Sequence, residues 1–167
     1  MRIRLLAAVL VAILVVLAIA PAAGAATSNV QTYRWQLIFA INKTRHAHGL
    51  APVYHAPGLD KTAQGHSADM IARHYFAHTS PTGSTLFDRI SRSGFTRYGA
   101  WWAGETLAWG TGSYAQAQHV IAMWLASPPH RAILLSSRFS WVGVGRAVGP
   151  FEGNSSAAVW TADWGHR

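Results

Sequence analysis

Two long β-forming stretches, Trp141–Val148 and Ala157–Trp164, close this sequence, and the strong periodicities ahead of them are helical. A Gly-Pro-Phe-Glu-Gly-Asn turn region joins the two stretches and marks them as a hairpin. Upstream, Val30, Tyr33, Leu37, Ile38 and Ile41 recur at helical spacing from about Asn29 to His48, where Gly49 stops the run. Pro57-Gly58 opens a second helix to about Tyr75, with Leu59, Ala63, His66 and Met70 on its apolar face. Thr85–Ser93 reads as a short amphipathic helix, and Phe95–Gly104 as an aromatic loop. A third long helix takes Ser113 as its N-cap, carries Ala117, Val120, Ile121, Trp124 and Leu125 inward, and ends at Ser127-Pro128-Pro129. Helices first and a hairpin last predict an α+β fold in which helices cover an antiparallel sheet.

The N-terminus limits where such a domain works. Arg2 and Arg4 precede an unbroken apolar run from Leu5 to Ala20, followed by Pro21 and small residues, the layout of a secretory signal peptide. Ala23-Gly24-Ala25 predicts cleavage after Ala25, giving a leader at 1–25, a single domain at 26–167 and a secreted product. The alternative is an uncleaved membrane anchor, for which the run is short against a span of about 20 residues. Beyond Ala25 the chain keeps all 6 acidic residues and all its Lys and Arg except Arg2 and Arg4. Its positive charge is scattered, which argues against nucleic acid as a partner and leaves loose association with a cell-wall or membrane surface open. The chain has no cysteine, so neither a disulfide nor a thiolate metal site is available, and a bacterial source fits better than a eukaryotic one. The expected state is a monomer.

Three separated segments carry the candidate chemistry: Tyr75-Phe76-Ala77-His78, Gly104-Glu105-Thr106-Leu107-Ala108, and Ser127-Pro128-Pro129-His130-Arg131. Two imidazoles and a carboxylate can hold Zn²⁺ or Mg²⁺ or move a proton. His66 reads as a hydrogen-bonded core histidine. Ser67 sits inside a helix and lacks the glycine that a nucleophile elbow requires.

These segments resemble the CAP superfamily (cysteine-rich secretory proteins, insect antigen 5 and plant pathogenesis-related proteins), and within it the bacterial SCP-domain branch that lacks disulfides. Further matching stretches are Ile41-Asn42-Lys43-Thr44-Arg45, His66-Ser67-Ala68-Asp69-Met70, Gly143-Val144-Gly145 and Trp160-Thr161-Ala162-Asp163-Trp164-Gly165. The resemblance implies a three-layer α-β-α sandwich around a mostly antiparallel sheet, with a cleft lined by two histidines and two acidic residues. His78, Glu105 and His130 match three of those four, and Ser127 stands where the second acidic residue would be. Three readings of the cleft follow: a structural tie through Glu105, a labile metal site of His78, His130 and Glu105, and a metal-dependent hydrolase. The resemblance also implies lipid or other amphipathic ligands in grooves beside the sandwich, for which Trp101-Trp102 is a candidate exposed patch. A cell-wall interaction protein without a small ligand is the remaining class.

Overall fold

A computed structural model describes residues 23–96 and 101–167. Ten elements follow in order: α1 Ala23–Ala47, β1 Tyr54–His55, α2 Pro57–Arg73, α3 Leu86–Ser91, β2 Trp102–Gly110, a 3₁₀ turn Gly112–Ala115, α4 Ala117–Ala126, α5 Pro128–Leu134, β3 Trp141–Phe151 and β4 Asn154–His166. The expected leader lies outside the described residues, apart from its last three, which open α1.

The strands form one sheet in the order β1-β3-β4-β2. β4 runs antiparallel to β2 and β3, while β1 adds a short parallel edge on β3. Helices cover both faces, giving the expected α-β-α sandwich. On one face, Val142, Val144, Ala158, Trp160, Ala162 and Trp164 pack with Leu37, Ile41, Val120, Trp124 and Leu134 from α1, α4 and α5. The indole N–H groups of Trp124 and Trp160 donate to the carbonyls of Leu107 and Ala115, so these large rings are buried without stranding a donor.

The opposite face is built around close approach. A Cβ at Gly143 would fall inside the backbone of Leu59 and Asp60, and one at Gly145 inside that of Ala63 and Gln64. The two glycines therefore let α2 lie directly on β3. Asp60, at the start of α2, accepts from the Val144 N–H and pairs with Arg34 and His55, which locks the helix to the strand. Arg45 is buried without a carboxylate. It is satisfied instead by the carbonyls of Ala51, Leu134 and Ser136.

Three local expectations are corrected. Phe95–Gly104 is not loop to its end, because Trp102 begins β2. That strand is buried on both sides from Gly104 to Ala108, so it has no polar/apolar alternation to announce it. Ser113 belongs to the 3₁₀ turn, and α4 starts after Gln116, whose backbone is extended. Pro128-Pro129 end one helix but also begin another, standing at the first positions of α5 where a missing N–H costs nothing.

Candidate functional site

Glu105 is the centre of the site. It lies in the middle of β2, 3% exposed, behind a glycine whose Cβ would press on Phe139 at 2.9 Å. Oε1 accepts from His78 Nδ1 at 2.7 Å, and Oε2 accepts from Arg89 Nη2 at 2.5 Å. His66 Nε2 stands 3.8 Å from Oε1. Burial by itself would push this carboxyl up. The hydrogen bond from His78 and the charges of Arg89, His66 and His78 outweigh it and hold the group below the usual glutamate range.

Each partner arrives from a different element. His78 follows α2 on a turn, its side chain half exposed. Arg89 comes from α3, which is positioned by a reciprocal capping box between Thr85 and Asp88. Its second amino group holds the carbonyls of His78 and Ser84. His66 sits in the middle of α2, almost fully buried, with Nε2 on the Ala77 carbonyl at 2.9 Å and the Tyr75 hydroxyl near Nδ1 at 3.3 Å. Burial pushes the His66 imidazole down, towards its neutral form. Its reading as a hydrogen-bonded core histidine agrees with this setting, which also places it beside Glu105.

His130 stands in the first turn of α5. Its ring meets that of His78 edge to face, with centroids 5.8 Å apart. Burial, then the neighbouring His78, pushes it towards the neutral form as well. The structure therefore brings His78, Glu105 and His130 into one region, with direct hydrogen bonding between the first two. Ser127 caps the α4–α5 junction by backbone alone and makes no capping bond with its side chain. Among the described residues, no three His, Asp or Glu side chains converge as a metal would require. The donor chemistry explains why: both Glu105 oxygens already carry a cationic or N–H partner. As three direct ligands to one ion, the set does not fit.

A second carboxyl lies beside Glu105, though not where the resemblance pointed. Asp163 on β4 is the register partner of Glu105 on β2, so the two side chains share the α2 face of the sheet. Asp163 is fully buried. The Thr62 hydroxyl lies 2.8 Å from the Leu59 carbonyl and within hydrogen-bond reach of Asp163 Oδ2. A hydroxyl has one proton, and a carbonyl can only accept. Both contacts are satisfied when Thr62 donates to Leu59 and Asp163, as a carboxylic acid, donates to Thr62. Burial, reinforced by the Glu105 charge, pushes the Asp163 carboxyl well above the ordinary aspartate range, while the Thr62 contact and the Arg89 charge act in the opposite direction. Sequence reasoning missed Arg89, Thr62 and Asp163 as members of the site.

An apolar recess of about 170 Å³ adjoins His130, walled by Phe76, Leu107, Trp109, Met123 and Trp124.

The sandwich topology agrees with that of known relatives. The chain belongs to the cysteine-rich secretory protein (CAP) family, whose sequence model matches residues 38–164; it is a member without any cysteine. It is 31% identical to YkwD of Bacillus subtilis, an uncharacterized protein, over 81% of this chain and 48% of that one. It is 34% identical to YlbC, an uncharacterized membrane protein of the same organism, over 66% of this chain and 30% of that one. The chain thus spans half or less of the length of these two relatives. Among solved structures, an extracellular protein containing an SCP domain from Bacillus anthracis superposes with a TM-score of 0.71 at 26% identity, covering 89% of this chain and 45% of that one. An outer surface protein of Borrelia burgdorferi shares the fold, with a TM-score of 0.64 at 22% identity over 78% of this chain and 90% of that one. Among the described residues, no helix is long and apolar enough to cross a membrane.

Proposed function

We propose that this protein is an extracellular binding module for a small amphipathic ligand and not a hydrolase. The observation that carries the reading is the commitment of Glu105. A general base needs a free lone pair within reach of substrate, whereas here Arg89 and His78 occupy both oxygens and burial closes the rest. Glu105 then serves to hold His78, α3 and β2 together around an open rim. The ligand's apolar part would enter the recess beside His130, whose volume suits a short acyl stretch or one ring and not a drug-sized molecule. Its polar end would meet the two histidine rings. Work outside the cell is supported by the leader-like N-terminus and by the extracellular origin of the Bacillus anthracis neighbour.

A weak cation site is a second reading, favoured by the orientation of His78. Because Nδ1–H is donated to a carboxylate, Nε2 presents its lone pair away from Glu105, the arrangement by which carboxylates orient metal-binding histidines. His130 would be the second nitrogen donor, and Glu105 an orienting group instead of a ligand. Such a pair prefers Zn²⁺ over Mg²⁺.

One titration series tests both readings. Delipidated protein is titrated with dodecanoate, followed by tryptophan fluorescence, and with Zn²⁺, followed by heat. The expected result is saturable dodecanoate binding that Met123→Trp abolishes by filling the recess. Weak Zn²⁺ binding should vanish in both His78→Ala and His130→Ala. Absence of saturable dodecanoate binding would overturn the ligand reading, and unchanged Zn²⁺ heat in the histidine variants would overturn the cation reading.

A further inference from the structure

A cleft of about 550 Å³ among the described residues, inside the range of small-molecule sites, lies between α2 and the Ser80–Ser93 segment, on the outer side of His66 and Arg89. Apart from His66 no aliphatic or aromatic side chain lines it, and Ser80, Thr82, Ser84 and Ser93 bring hydroxyls to the wall facing α2.

Its charges are unbalanced. Asp69, the carboxylate in the lining, is occupied by Arg73 Nε at 2.8 Å and the Tyr75 hydroxyl at 2.7 Å. Arg89 spends its charge on Glu105. Asp88, nearby on α3, is turned back into the capping box with Thr85. Lys61 on one wall and Arg92 on the other have no ion-pair partner among the described residues, and Arg92 reaches only the Ser84 hydroxyl at 3.1 Å. Two cations without an ion-pair partner, on opposite walls of a hydroxyl-lined cleft, suit an oxyanion attached to a polar body.

We infer that this cleft binds a phosphate-bearing polyol, with the phosphate held between Lys61 and Arg92 and the polyol hydroxyls meeting the serine and threonine side chains. A phosphate monoester carries about −1.5 to −2 charge near neutral pH and offers three acceptor oxygens, which matches two cations and their neighbouring hydroxyls. Nothing in this inference depends on the recess beside His130, so each site is tested without the other.

The test uses glycerol 3-phosphate, inorganic phosphate and glycerol, titrated calorimetrically into the protein at low ionic strength. The variants are Lys61→Gln/Arg92→Gln and, as a charge-matched control, Lys43→Gln/Arg138→Gln. Lys61 and Arg92 are exposed, so the first pair leaves folding intact, which thermal melting verifies. Glycerol 3-phosphate should bind more tightly than phosphate, and glycerol not measurably. The Lys61/Arg92 variant should lose about tenfold or more in affinity, and the control less than about twofold. The proposal fails if glycerol 3-phosphate shows no saturable binding, if the Lys61/Arg92 variant binds as wild type does, or if the control loses as much. Equal binding of phosphate and glycerol 3-phosphate would overturn the polyol part.

Discussion

The two faces of the sheet solve opposite problems. Beneath α1, α4 and α5, the strands present Val142, Val144, Trp160, Ala162 and Trp164, and the face is held by buried apolar area. Beneath α2, the alternate residues of the same strands are Gly143, Gly145, Thr161, Asp163 and Glu105, and α2 answers with Asp60, Thr62, His66 and Ser67. Ser67 donates to Thr161 at 2.9 Å, Thr62 meets Asp163, and His66 approaches Glu105. The first face needs its volume filled and its indole donors met. The second has a smaller apolar cluster of Met70, Leu107, Phe151, Ala157 and Val159 and depends in addition on each polar group finding its specific partner, because buried polar groups without partners are costly. The site lies on the second face, where two neighbouring carboxyls are pushed in opposite directions by their surroundings.

The sharpest way to break this contrast is to remove one partner from the polar face. Arg89→Met leaves Glu105 buried with a hydrogen bond from His78 but without its guanidinium, and should destabilise the fold by about 3–5 kcal/mol. Adding Glu105→Gln to that variant removes the stranded charge and should recover a large part of the loss. Chemical denaturation of the two variants measures this. If the double variant is as unstable as the single one, or less stable, Arg89 acts through packing and not through the charge of Glu105.

A smaller effect separates contact distance from polarity. Gly145→Ala adds one methyl group where the α2 backbone already sits, and should cost about 1–3 kcal/mol, or more if α2 cannot shift. The change is apolar and small, so the loss would be steric. A melting temperature equal to that of wild type would show that α2 rides loosely on β3.

How much of this was legible in the sequence follows the same division. Val120, Ile121 and Trp124 repeat at helical spacing, and Val142 and Val144 alternate, so the apolar face declared both its elements and their orientation. The histidines and Glu105 were found through their motifs. Arg89 looked like any charge on a short surface helix, since only the docking of α3 turns it inward. Asp163 belongs to the Trp160–Gly165 motif, but the resemblance points for the second carboxyl to the end of α4, at Ser127. Its proximity to Glu105 depends on the β2–β4 register, and β2 gave no periodic signal of being a strand. Registers between strands distant in sequence are not written in local patterns.

The finest distinction lies between the two carboxyls themselves. Glu105 is held below its ordinary range and Asp163 well above its own, so they contribute to stability with opposite pH dependence. For Glu105, stability is present above the unfolded value and disappears as pH falls through the lower folded one. For Asp163, it is fully present below the unfolded value of roughly 4 and is lost as pH rises towards the higher folded one. Asp163→Asn retains a donor for Thr62 and removes the titration. Near pH 3.5 the variant should lie within about 1 kcal/mol of wild type, because a neutral acid has been exchanged for a neutral amide. As pH rises above about 4, wild type alone is penalised for keeping a proton that the unfolded chain releases, so the variant should gain on it until the pH reaches the raised folded value. Urea denaturation of both proteins across that range checks the sign. A gap that stays flat would mean that Asp163 titrates in the folded protein as it does in the unfolded chain. A gap that moves in wild type's favour would mean that it is held ionised, with Thr62 donating to it, and the division of charge between the two carboxyls would have to be reversed.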